Sequence, residues 1–158
     1  MSSLDANTID RKMCKVSADA FFDVACFIES VPEYLEFKGN MLSPYSVNLM
    51  LSCELYYKYL LLPSVQQIHM RRFKTHSIES LHQLLWENDS ETADRIKELY
   101  YLECGVNPPL HSFEEVLHLN ANNFEEFRYL FERNKRKVFY STDISSIARA
   151  LRQVSDNY

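Results

Sequence analysis

Glycine is nearly missing: 2 of 158 residues, Gly39 and Gly105, where an average composition would give about eleven. With so few positions free to take φ > 0, tight primed hairpin turns are almost unavailable, which favours helix over sheet. A GxGxxG dinucleotide loop and a Walker A loop each need several glycines in one short stretch, so both are excluded. No CxxC pair, no HExxH and no GxSxG elbow occurs. None of the five histidines (69, 76, 82, 111 and 118) has a partner at i,i+4 on a helix, so a zinc site would have to be assembled from residues far apart in sequence. No metal, no cofactor and no membrane contact is expected. The most apolar run, Val47–Leu62, carries Ser52, Glu54 and Lys58 and is short for a membrane span. The N-terminus lacks the apolar stretch of a secretory signal, so the reading is cytoplasmic, with Cys14, Cys26, Cys53 and Cys104 as reduced thiols and Cys26 and Cys53 acting as small hydrophobes.

What the chain has in excess is aromatic residues, 13% of the sequence. Its length suits one domain. The net charge of −5 hides an asymmetry: residues 79–126 hold eleven acids against two bases, whereas 127–158 hold seven bases against three acids. A local basic surface therefore survives in an acidic protein.

Apolar spacing and capping signals predict a single helical domain over 17–158 behind a flexible N-terminus, 1–16. Ser17 is read as the cap of a helix with a Phe21, Val24, Ala25, Ile28, Leu35 stripe, broken near Pro32. Ser43-Pro44 is read as the start of a central helix that stops at Pro63. Thr75 and Ser90 are read as caps of the next two helices, and Gly105 with the Asn107-Pro108-Pro109 turn as the end of the second. Ser112-Phe-Glu-Glu115 matches a capping box. Asn122 opens a helix with Phe124, Phe127 and Phe131 on one face, and 143–155 form a last amphipathic helix. The sum is an all-α, up-and-down bundle of five or more helices. Tyr56, Tyr57 and Tyr59 encircle the central helix, which predicts that some of their rings sit at a dimer interface.

Two constellations could carry chemistry. Glu54 and Lys58 stand one turn apart, acid before base, on an otherwise apolar stripe. They are either a structural pair at the edge of the core or a pair that orients a third polar group in a cleft, for which Arg128 is the candidate. Bases also cluster twice: Arg71, Arg72 and Lys74 after the central helix, and Arg133, Lys135, Arg136 and Lys137 downstream of Arg128 and Tyr129. With Phe73, Tyr129, Phe139 and Tyr140 nearby, these suit a surface that binds phosphate and stacks bases. They equally suit solvated helix ends.

The run Ser46–Leu62, with its acid and its lysine four later, resembles the second helix of HEPN domains. Thr75-His-Ser-Ile-Glu-Ser-Leu81 resembles the start of that family's third helix, and Phe124-Glu-Glu-Phe-Arg-Tyr129 its arginine-tyrosine segment. The resemblance spans residues 17–152. It implies a helical bundle that is often a homodimer, found in toxin–antitoxin and defence systems or beside a minimal nucleotidyltransferase. It also implies an Arg-x4-6-His site for metal-independent RNA cleavage, with Arg128 at the arginine position. Positions 133–135 are Arg, Asn and Lys, so the histidine of that site is missing. A literal Arg-x4-His match, Arg71 to His76, lies before the third helix, where His76 already fits the family's non-catalytic histidine. The expected function is an HEPN-like RNA- or nucleotide-binding protein without that RNase site. The alternatives are an RNase with an atypical site and a non-catalytic protein–protein adaptor.

Overall fold

The computed structural model describes residues 10–32, 38–105, 109–121 and 141–158. Among them are seven α-helices, one 3-10 turn and no strand. The helices are α1 (Arg11–Ser30), α2 (Lys38–Leu61), α3 (Met70–Phe73), α4 (Ile78–Asn88), α5 (Ser90–Glu103), α6 (Phe113–Asn120) and α7 (Ser141–Asp156). The architecture is the all-α bundle that the sequence implies.

Helix α2 is the axis of the bundle. It is apolar around most of its circumference, and α1, α4 and α7 pack on it. Leu49, Met50, Cys53, Leu60 and Leu61 are buried along it, each large side chain contributing about 1.5–3 kcal/mol by leaving water. Tyr56 and Tyr57 are fully buried too. The Tyr56 hydroxyl donates to Asp19 Oδ1 at 2.7 Å, and the Tyr57 hydroxyl meets His82 Nδ1 at 3.2 Å. The Tyr59 and Tyr158 rings meet edge to face, and the Arg11 guanidinium lies against both. Tyr56 and Tyr57 are thus enclosed by the chain's own helices, and Tyr59 is half-buried. Tyr56 and Tyr57 are therefore not available to a dimer interface, because α2 has neighbours on several sides rather than one.

Helix α1 runs antiparallel to both α2 and α7. Cys14 Sγ donates to the Leu55 carbonyl at 3.4 Å, and Asp19 meets Tyr56. A charged seam joins α1 to α7: Lys15 to Asp156 at 2.7 Å, Arg152 to Asp23 at 2.7 Å and Arg149 to Glu29 at 3.7 Å. The start of α1 corrects the sequence reading. Asp10, not Ser17, is the N-cap, its Oδ1 accepting from the Met13 amide at 3.1 Å. Residues 11–16 are therefore helical, with Cys14 and Lys15 in contact with the second and last helices. The buried face is Ala18, Phe22 and Ala25, while Val24 is exposed and Phe21 half-buried.

The other boundaries shift for local reasons. Helix α2 begins at Lys38 and runs through Pro44. The fixed φ of proline is helical, so the backbone passes through it at the loss of one hydrogen bond. Ser77 rather than Thr75 caps α4, and Asp89 rather than Ser90 caps α5. In both cases the capping side chain stands one position before the first helical residue and accepts an amide three residues on. Gly105, at φ 75°, closes α5 as expected. The capping box of α6 forms in full: Ser112 Oγ accepts from the Glu115 amide while Glu115 Oε2 accepts from the Ser112 amide. The expected Asn122 helix, with its Phe124, Phe127 and Phe131 face, lies outside the described residues.

Candidate functional site

Glu54 is the most buried charged side chain of the core, with 3% of its surface exposed. An isolated carboxylate there would be costly. It is held from two directions. Lys58, one turn along α2, donates to Oε1 at 2.5 Å. His76 places Nδ1 at 3.0 Å from both carboxylate oxygens. A carboxylate only accepts, so the imidazole donates to it from Nδ1. The third polar group joined to the Glu54–Lys58 pair, among the described residues, is this histidine. Arg128, the expected one, lies outside them.

His76 reaches Glu54 because of the short connection from α3 to α4. Helix α3 is a single turn. His69 caps it, Nδ1 accepting from the Arg71 amide at 3.3 Å, and buried Phe73 anchors it. Four residues after Phe73, Ser77 caps α4, and Thr75 Oγ1 accepts from the Ser77 amide at 3.2 Å. His76 is thus fixed between two capped helices.

The same turn carries the first basic cluster outward. Arg71, Arg72 and Lys74 are all exposed. Arg72 pairs with Glu87 at 2.7 Å, and Gln83 also binds that carboxylate. Arg71 and Lys74 make no ion pair among the described residues. A surface cavity of about 570 Å³ opens here, lined by Arg71, Arg72, Thr75, Glu79, Ser80 and Gln83. Glu79 on its wall meets His118 Nδ1 at 3.1 Å. The cavity therefore offers two guanidinium groups, three neutral polar side chains and one acid. Phe73 points inward and is 5% exposed, so it cannot stack on a base as the sequence suggested.

A second hollow, of about 340 Å³, lies on the far side of Lys58 and is mainly apolar, with Met13, Cys14, Leu55 and Phe73 in its wall. Burial pushes the Cys14 thiol up to about 11, outweighing the opposite pull of Lys58. Burial likewise pushes Cys53 up to about 12. Neither is a nucleophile at neutral pH. Among the described residues no three His, Cys, Asp or Glu side chains converge as metal ligands, and no helix is long and apolar enough to cross a membrane.

The structure thus joins Glu54 and Lys58 and groups Arg71, Arg72 and Lys74 on one turn. Tyr129, Arg133, Lys135, Arg136 and Lys137 lie, like Arg128, outside the described residues. Sequence reasoning missed His76 as the partner of Glu54. Its signal was weak: a polar histidine in a connection, with many carboxylates to choose from. Compared with known proteins, the chain matches no described family, no curated protein and no solved structure.

Proposed function

We propose that the chain is an HEPN-like RNA- or nucleotide-binding protein that meets phosphate through the Arg71–Lys74 turn and has no RNase activity. The observation that carries this reading is the cavity beside that turn, where Arg71 makes no ion pair among the described residues and Thr75, Ser80 and Gln83 add neutral polar groups beside the single acid Glu79. Guanidinium groups in a forked geometry suit phosphate oxygens, and neutral donors complete the oxygen shell. The missing glycine loops leave side chains as the means of phosphate contact. The downstream bases from Arg128 to Lys137 extend the same role. A defence or toxin–antitoxin setting, a nucleotidyltransferase partner and a cytoplasmic location belong to this proposal, and four unbonded cysteines suit a reducing compartment.

The test is fluorescence anisotropy with a labelled single-stranded RNA and a labelled nucleotide at two salt concentrations. Wild type binds and weakens with salt. R71A/K74A weakens binding to all sequences alike and lowers the salt slope by about 0.7 for each phosphate contact removed. Binding that the double substitution leaves untouched overturns the proposal.

A second reading, an atypical metal-independent RNase, rests on one geometric fact: Glu54 fixes the tautomer of His76 at the end of the turn that carries Arg71. A carboxylate-oriented imidazole can move a proton. RNA cleavage in EDTA that both H76Q and R71A abolish would establish this reading; intact RNA leaves the binding role.

A further inference from the structure

The apolar hollow beside Lys58 stands where three elements meet. Asp10, Met13, Cys14 and Ser17 recur at three- and four-residue steps, so they supply one face of the first two turns of α1. Leu55 and Lys58 supply a strip of α2, and Phe73 closes the hollow from α3. The Cys14 Sγ bond to the Leu55 carbonyl ties α1 to α2 here, which fixes the two long walls against each other. The volume of about 340 Å³ falls near the lower end of the range for small-molecule pockets. At about 30 Å³ for each non-hydrogen atom, the share of one water in the liquid, it holds a molecule of about ten such atoms.

The wall decides the chemistry. Met13, Cys14, Leu55 and Phe73 make it chiefly apolar, and Met13 is 55% exposed. Lys58 adds a donor. Glu54 takes one of its three N–H groups, and the other two have no partner among the described residues. Charge is already balanced, since Glu54 offsets Lys58, and Asp10 at the rim already caps α1. An anion would meet two carboxylates for one lysine, and a cation would exchange water for an apolar wall.

We propose that this hollow binds a small uncharged molecule, an apolar body of about eight carbons with one carbonyl that accepts from Lys58 Nζ. The body lies against Met13, Leu55 and Phe73. Binding here is independent of phosphate binding at Arg71 and Arg72, whose side chains line a different cavity.

Octanamide is the probe, with octanoate and octylamine as charged molecules of nearly the same size. Titrated into the isotopically labelled full chain and followed by amide NMR, octanamide gives saturable shifts centred on residues 13–17, 55–58 and 73, with half-saturation below about 1 mM. Octanoate and octylamine bind at least about tenfold more weakly. S17F fills the hollow and removes the shifts. M13A, at an exposed position, weakens octanamide by at least about threefold, and the melting midpoint of each variant reports that it is folded. An absence of saturable shifts overturns the proposal, whether the hollow has no affinity or residues 1–9 of the chain occupy it. So does equal binding of all three probes, which marks an unspecific apolar surface, and so does binding that S17F and M13A both leave unchanged. Tighter binding of octanoate or octylamine overturns the uncharged class.

Discussion

Glu54 decides most of the polar design around α2. Its carboxylate is shared by a lysine of its own helix and a histidine of the next connection, and its side chain is 4% exposed. Removing it strands Lys58 close to the core. Glu54→Ala is therefore expected to lower stability by about 3–5 kcal/mol, measured by urea unfolding, with Glu54→Gln closer to wild type because it still accepts. His82 sets a pH dependence. It is packed against Phe113 and Tyr57, and burial pushes its pKa down to about 4. Its unfolded value is near 6.5, so between these values the unfolded chain binds the proton more readily. Stability is complete above pH 6.5 and falls as the pH drops towards 4, by about 3 kcal/mol from this group. H82Q, which keeps an acceptor for Tyr57, should flatten that part of the pH profile in melting experiments. Ser155 Oγ is buried without a hydrogen-bond partner among the described residues. S155A should raise stability by up to about 1 kcal/mol, since no bond is lost and a polar atom leaves the core.

At the scale of elements, the start signals carry measurable weight. Ser112 caps α6 and Asp10 caps α1, each through one accepted amide. S112A and D10A are each expected to cost about 1 kcal/mol, read from thermal or urea unfolding, and S112A should fray a helix of only eight residues. Helix ends were largely legible: Pro63, Gly105 and the Ser112–Glu115 box act through the backbone within one turn. The caps of α4 and α5 were misplaced because Thr75, Ser77, Asp89 and Ser90 are all competent, and only the neighbouring dihedral angles choose among them. The face of α1 was not legible for a different reason. Its sequence holds two apolar stripes, one through Ala18, Phe22 and Ala25 and one through Met13, Ala20 and Phe27. Periodicity reports both without saying which one the rest of the chain covers.

For the whole molecule, the glycine-poor, aromatic-rich composition announced a helical bundle, and a nearly all-apolar α2 announced its centre. The tyrosines of α2 show where composition stops being informative. Rings on every side of a helix mean an interface only if the helix has one covered side, and that depends on how many neighbours the chain itself supplies. The Glu54–Lys58 pair was visible from spacing, since both partners share a helix. His76 was not, because its distance to Glu54 exists only once α3 and α4 have turned back onto α2. The Arg71–Lys74 turn has a mechanical property that follows from the same contacts. Four residues are too few to hold a shape alone, yet Phe73 fastens the middle of this segment and the His76–Glu54 bond fastens its exit. The arginines stand on a pinned stretch of main chain, so an anion arriving there would order long side chains but little backbone. Amide protons of residues 72–75 should exchange more slowly than those of an ordinary surface turn, and H76Q should release them without melting α4.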